Sequence, residues 1–84
     1  MDGRSLPANA NPDIALSRAL RELREEAGLT QEEVANRAGL HYTSLRDIES
    51  GRADPMWGTV RRLAAALEVE AIEVIRLADE IRAE

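Results

Sequence analysis

The sequence predicts an all-α fold, a compact bundle of five short helices. Apolar residues recur three and four positions apart in five successive segments, the period of a helix buried along one stripe. Alternating β-branched runs, which would mark half-buried strands, are missing. The segments are divided by connections of two to five residues, several marked by Gly28, Gly39 and Gly51, a spacing that suits tightly joined helices. Eighty-four residues are enough for one small domain. With one Trp, one Tyr and no Phe, its core has to be built from Leu, Ile, Val and Ala.

Residues 1–11 are rich in Asn, Ala, Gly and Pro without an apolar period and are expected to form a flexible arm. A single domain is expected over 12–84. Asn11-Pro12-Asp13 has the form of a helix start, with Asn as cap and Pro at the first helical position. Leu16, Ala19, Leu20, Leu23 and Ala27 follow at helical spacing, and Gly28 supplies a left-handed stop. Thr30 and Glu33 make a capping box that opens a second helix burying Val34, Ala35 and Ala38, ended by Gly39. The third helix runs from about Tyr42 to Ser50, buries Leu45 and Ile48 and is closed by Gly51. Asp54-Pro55 is expected to cap the fourth, whose stripe is Trp57, Val60, Leu63, Ala64 and Leu67; Trp57 at that spacing reads as a core residue. The fifth spans about 71–83, with a poorly marked start because residues 67–70 hold no Gly.

Composition excludes several functions. The absence of cysteine rules out disulfides, thiolate metal sites and a cysteine nucleophile, and fits a reducing cytoplasm. No apolar run approaches the roughly 18 residues of a membrane span. One histidine leaves few candidate bases. His41, Ser44 and Asp47 are neighbours in sequence, but the outer face of one short helix supplies neither pocket nor oxyanion hole. No enzyme activity, metal, cofactor or small-molecule ligand is expected. All eleven basic residues are Arg, and the net charge is −5. The excess acid lies almost wholly beyond residue 62, so the middle of the chain is near neutral and stays open to a polyanionic partner.

The stretch from Gln31 to Ile48 is the most informative. Two short helices share the turn Gly39-Leu40-His41. A steep, close crossing needs a small side chain, met by Ala35, and a positive φ in the turn, met by Gly39. It also needs apolar side chains at Val34, Ala38, Leu40, Leu45 and Ile48 to seal the pair against the rest. These are the demands of a helix-turn-helix unit, here about 31–50.

The landmarks Leu20, Arg24, Gly28-Leu29-Thr30-Gln31, Ala35, Gly39, Ile48-Glu49-Ser50-Gly51, Pro55 and Leu63-Ala64 with Leu67 and Val69 resemble the Cro/Xre, lambda-repressor-like helix-turn-helix regulators. The resemblance covers residues 20–69. It implies a transcriptional regulator whose third helix enters the major groove of double-stranded DNA. Carried over by position, Gln31 would touch phosphate and brace the second helix, and Arg52 would clamp phosphate. Tyr42, Thr43, Arg46 and Asp47 would face bases or backbone. Helical angles agree, since Leu45 and Ile48 inward leave Thr43, Arg46, Asp47 and Ser50 outward. Arg46 would suit guanine or a phosphate, Thr43 a thymine methyl and Asp47 the cytosine amino group. The family also implies an ion pair between Arg24 and Glu49. Three departures stand out: Asp47 occupies a position often basic or amide, His41 replaces a common Ser or Thr cap, and Glu68 stands where Gly commonly ends the fourth helix.

The fifth helix carries Val74, Ile75, Leu77, Ala78 and Ile81 over an arc wider than the stripe needed to cover its own domain. Its surplus predicts a homodimer, with Val74, Leu77, Ala78 and Ile81 as the interface and a pseudo-palindromic operator as the target. Restriction–modification controllers, antitoxins and short phage repressors are all compatible in size. The alternative is a protein-interaction module on the same fold that has lost DNA binding, to which a neutral or negative strip over Tyr42–Arg52 would point.

Overall fold

The computed structural model describes residues 12–84. The expected arm at 1–11 lies outside the described residues. Five helices follow one another: α1 Ile14–Glu26, α2 Gln31–Ala38, α3 Tyr42–Glu49, α4 Trp57–Ala66 and α5 Ala71–Arg82. No strand occurs among the described residues. α1 lies against α5 on one side and α3 on the other, while α2 packs between α3 and α4. Leu20, Val34, Leu45, Leu63 and Val74, one from each helix, are the largest fully buried side chains. The main core is therefore an apolar centre to which every helix contributes, with small members Ala35, Ala38 and Ala64 that permit close approach, and a smaller cluster joins Ala19 of α1 to Ala78 and Ile81 of α5.

Four of the five helices end in the same way. The N–H two residues beyond the last turn donates back to a carbonyl five positions earlier: Leu29 to Arg24, Leu40 to Ala35, Arg52 to Asp47 and Val69 to Ala64, at 2.8–3.2 Å. The residue between is left-handed in each case, at Gly28, Gly39, Gly51 and Glu68. This device satisfies otherwise orphaned helical carbonyls and turns the chain sharply. Leu29, Leu40 and Val69, the residues just past three of these turns, pack onto the core. The fourth is Arg52, which is exposed. Glu68 adopts φ 61° without the freedom of glycine, so the end of α4 is sharply made but carries strain. The turn at Gly51 is tight for a second reason: a Cβ there would lie 2.7 Å from Ile14 Cδ1.

The capping box of α2 is complete, with Thr30 Oγ1 accepting from Glu33 N at 3.1 Å and Glu33 Oε1 accepting from Thr30 N at 2.8 Å. These bonds, the backbone one foremost, hold the Glu33 carboxyl below its ordinary pKa. Two helix starts differ from expectation. α1 is capped by Asp13, whose Oδ1 accepts from Leu16 N at 3.0 Å, so Pro12 precedes the helix, and Asn11 lies outside the described residues. α4 begins at Trp57 after Met56 and has no side-chain cap. Asp54 serves instead as a tertiary acceptor, its Oδ1 taking the Asp13 N–H at 2.7 Å. Asp13 further pairs through Oδ2 with Arg82 at 2.6 Å, so one carboxylate ties the start of α1 to the end of α5.

Two expectations about burial are corrected. Trp57 is 56% exposed rather than in the core. It shares a side with Val60 and Ala64 but sits in the first turn of α4, on the rim of an open groove with Leu16 of α1 and Ile75 of α5 that leaves much of the ring in solvent. Val74, Ala78 and Ile81 are buried within their own domain, so they are unavailable to a second copy. Val74 belongs to the main core, and α1 supplies the cover for the other two: its Ala19 lets α5 approach closely, and Leu77 is half-buried against the same cluster. The apolar side chains that α5 leaves outside are Ile72 and Ile75.

Candidate nucleic-acid interface

α3 is positioned from three directions. Leu45 and Ile48 are driven into the core, and Glu49 beside them is also buried. A carboxylate in that place needs partners, and it has them. Arg24 Nε donates to Glu49 Oε2 at 2.8 Å and its Nη2 to Oε1 at 3.0 Å, a two-pronged pair. The side chains are only 13% and 3% exposed. The third arm of Arg24, Nη1, donates to the Leu29 carbonyl at 2.8 Å. Its hydrogen bonds with Glu49 raise the guanidinium pKa, outweighing the opposite effect of burial, so the charge is permanent. The pair expected from the sequence is thus present, and it joins α1 to the last turn of α3.

Gln31 is drawn into the same cluster, its Nε2 donating to Glu49 Oε1 at 2.9 Å. The bracing part of its expected role is therefore a direct contact between the first residue of α2 and α3. The amide has a second N–H, and the side chain is half-buried at the edge of the strip.

With that side of α3 pinned, the opposite side faces out. Tyr42, Thr43, Ser44, Arg46 and Ser50 are exposed and Asp47 is half-buried. The Arg46 guanidinium lies over the Tyr42 ring, 5.9 Å from its centroid, one helical turn away. Asp47 Oδ1 stands 3.9 Å from Arg52 Nη1, just past the helix. Once Glu49 is neutralised by Arg24, the strip from Tyr42 to Arg52 carries Arg46 and Arg52 against Asp47, a small positive excess. His41 makes no side-chain cap bond, consistent with a weak start for α3. An eight-residue helix is about 12 Å long, close to the width of a major groove.

Other arginines are accounted for differently. Arg37 donates to the Ala66 carbonyl at 3.4 Å and so serves the end of α4. Arg61 and Arg62 are exposed on α4. Among the described residues no group of three or more His, Asp or Glu side chains could hold a metal ion, and no helix is long and apolar enough to cross a membrane.

Comparisons with known proteins agree with this geometry. The family model described as a helix-turn-helix domain matches residues 15–77. An uncharacterized HTH-type transcriptional regulator of Methanothermobacter thermautotrophicus is 44% identical over 61 residues, covering 73% of this chain and 88% of the relative. The chain belongs to the helix-turn-helix transcriptional regulators, of the Cro/Xre type. Among solved structures, the restriction-modification controller protein C.AhdI from Aeromonas hydrophila superposes with a TM-score of 0.72 at 32% identity, covering 74% of the regulator and 94% of the controller. The controller protein C.Esp1396I, solved as a tetramer with its natural 35-base-pair operator, has a TM-score of 0.80, covering 86% and 95% of the two chains. At 21% identity the latter likeness concerns the fold alone.

Sequence reasoning missed three features of the regulator. Ile72 gave no signal because it falls outside the main stripe of α5. Met56, 77% exposed just before α4, falls outside the apolar stripe of that helix and drew no expectation. The Asp13–Arg82 tie links residues far apart in the chain, and no local pattern encodes it.

Proposed function

We propose that this regulator binds double-stranded DNA sequence-specifically as a homodimer, placing α3 of each copy in the major groove of a pseudo-palindromic operator in the cytoplasm. The observation that carries the reading is the division of α3 into two faces. Leu45, Ile48 and Glu49 are locked inside, while Tyr42, Thr43, Arg46 and Asp47 face out toward where bases would lie. Arg46 presents a planar fork suited to guanine or a phosphate, and the Tyr42 ring steadies it. Thr43 suits a thymine methyl and Asp47 a base amino group; Arg52 and the second N–H of Gln31 take the flanking phosphates. The 32% identical C.AhdI is a restriction-modification controller, and the fold is one that C.Esp1396I carries on its operator. The first supports a regulator acting on DNA and the second supports the fold; we assign the regulator no catalytic role.

The dimer face moves from the buried side of α5 to its outer side. Ile72 and Ile75 project there, and Ile75 shares a groove of about 380 Å³ with Leu16, Pro55, Trp57 and Val60. Arg76 and Asp79 flank Ile75 on the same outer face. Asp79 is held by Arg82 of its own chain at 2.8 Å, and an antiparallel pair of α5 helices would bring each Arg76 to share the partner copy's Asp79, the self-complementarity a two-fold contact requires.

Selection from random duplexes by gel shift, repeated at two salt concentrations, tests the function. The expected result is a symmetric site with two half-sites about one helical turn apart, and binding that falls steeply with salt. Recovery of no preferred sequence, at either salt, would refute it.

A further inference from the structure

The turn after α3 is the exception among the four that end in a left-handed residue. At the other three, the residue past the turn is apolar and packs on the core: Leu29, Leu40 and Val69. Such an apolar contact is the usual companion of this turn. After α3 the same position holds Arg52, whose side chain is 74% exposed and whose nearest anion is Asp47 at 3.9 Å. The juxtaposition is built into the backbone. Arg52 N donates to Asp47 O at 2.9 Å, and Ser50 Oγ donates to the same carbonyl at 3.1 Å. Gly51, the hinge of the turn, is backed by Ile14 of α1. The root of Arg52 is therefore fixed next to Asp47, and only its outer atoms can move. Asp47 is also the uncommitted carboxylate of the strip, since Glu49 is consumed by Arg24 and Gln31.

A carboxylate facing a groove is repelled by phosphates and by base carbonyls, and is attracted only by the amino groups of cytosine or adenine. In the free protein Arg52 is the cation beside it, 3.9 Å away and largely in solvent. A phosphate competes for the same guanidinium, and taking it would leave Asp47 unpaired in a field of negative charge. A base amino group opposite Asp47 removes that conflict. Resting on the reading that α3 enters the major groove, we propose that Asp47 holds Arg52 back from the DNA backbone and releases it where a base amino group replaces it. The pair couples base reading to phosphate clamping, and discrimination gains two contacts that form or fail together.

The test is a double-variant cycle on the dimer, with Asp47→Asn, Arg52→Gln and the combination. Each is titrated by fluorescence anisotropy against the selected operator and a scrambled duplex between 50 and 200 mM salt, concentrations spanning roughly 10³-fold or more in affinity for such interfaces. Asp47→Asn is expected to bind scrambled DNA roughly fivefold more tightly for each copy engaged, the upper range for an exposed ion pair. Its log K against log salt steepens by about 0.9 per copy, one phosphate's worth of released counterion. Arg52→Gln weakens operator binding by more than scrambled binding, since scrambled DNA loses only the charge balance of the pair, and the combination binds scrambled DNA less tightly than Asp47→Asn because the freed guanidinium is gone. Equal weakening of both duplexes by Arg52→Gln, or an unchanged salt slope in Asp47→Asn, would overturn the coupling while leaving DNA binding intact. A wild-type protein without any operator would instead overturn the underlying reading. Both side chains lie outside the core, so superimposable melting curves verify that the variants fold.

Discussion

Removing the carboxylate of Glu49 is the most direct probe of what holds α3 in place. In Glu49→Ala, Arg24 keeps its bond to the Leu29 carbonyl at 2.8 Å but loses both prongs of its pair, and Gln31 loses its acceptor. The guanidinium cannot relieve the loss by shedding its proton, because arginine stays charged at any working pH. Breaking a buried pair from one side costs about 3–5 kcal/mol. Arg24 is 13% exposed and can regain some water, which places the expected loss at the lower end, about 3 kcal/mol. For a domain of this size each kcal/mol moves the melting temperature by about 4–8 °C, so a fall of roughly 12–24 °C is expected by circular dichroism. A chain of 84 residues has little stability in reserve, and urea unfolding should report the same loss. Replacing both partners, Arg24→Met with Glu49→Leu, removes both charges and should recover most of it. A melting point within about 4 °C of wild type for Glu49→Ala, or a double variant no better than the single, would refute the brace.

Four further outcomes follow from particular residues. Glu68→Gly should stabilise the protein by about 1 kcal/mol, because φ 61° costs a side-chain-bearing residue about that much; a melting point unchanged or lowered would show that strain is absent. Gly51→Ala should cost about 1–2 kcal/mol, mostly from its φ of 81°, since the Ile14 Cδ1 that a Cβ would meet is the far end of a flexible, exposed side chain; chemical unfolding measures it. The capping box makes stability pH-dependent with a definite sign. Glu33 has a folded pKa below its unfolded value, so its contribution is whole above the ordinary glutamate range and is lost as pH falls through the folded value. Glu33→Gln, which can still accept from the Thr30 N–H, should melt with a shallower acid limb than wild type as pH falls below the ordinary glutamate range, and parallel limbs would count against the box. Finally, Ile75→Glu should yield a monomer by sedimentation with an unchanged fold, and Trp57 emission, red-shifted in the monomer, should move to the blue as wild-type concentration rises. Sedimentation of a dimer in Ile75→Glu would place the interface elsewhere.

The sequence by itself determined whatever depends on neighbours along the chain. The Thr30–Glu33 box, the left-handed stops at Gly28, Gly39 and Gly51, and the inward turn of Leu45 and Ile48 were all legible, because caps, turns and helical period are local chemistry. The outward face of α3 was legible for the same reason. The Arg24–Glu49 pair was reached through family resemblance, since its two members stand on different helices and no local pattern joins them.

Tertiary structure decided which apolar arcs find cover. Helical period says on which side Trp57 and Val74 lie, but not whether an opposing helix extends far enough to bury them. Val74 is buried in the main core and Ala78 and Ile81 close against Ala19 of α1, whereas Trp57 is left on the rim of an open groove with Leu16 and Ile75. Asp54 was diverted from capping α4 by the Asp13 N–H, a donor brought near it only by folding. Competition between a local partner and a distant one is settled by three-dimensional distance, and a linear pattern does not contain that distance.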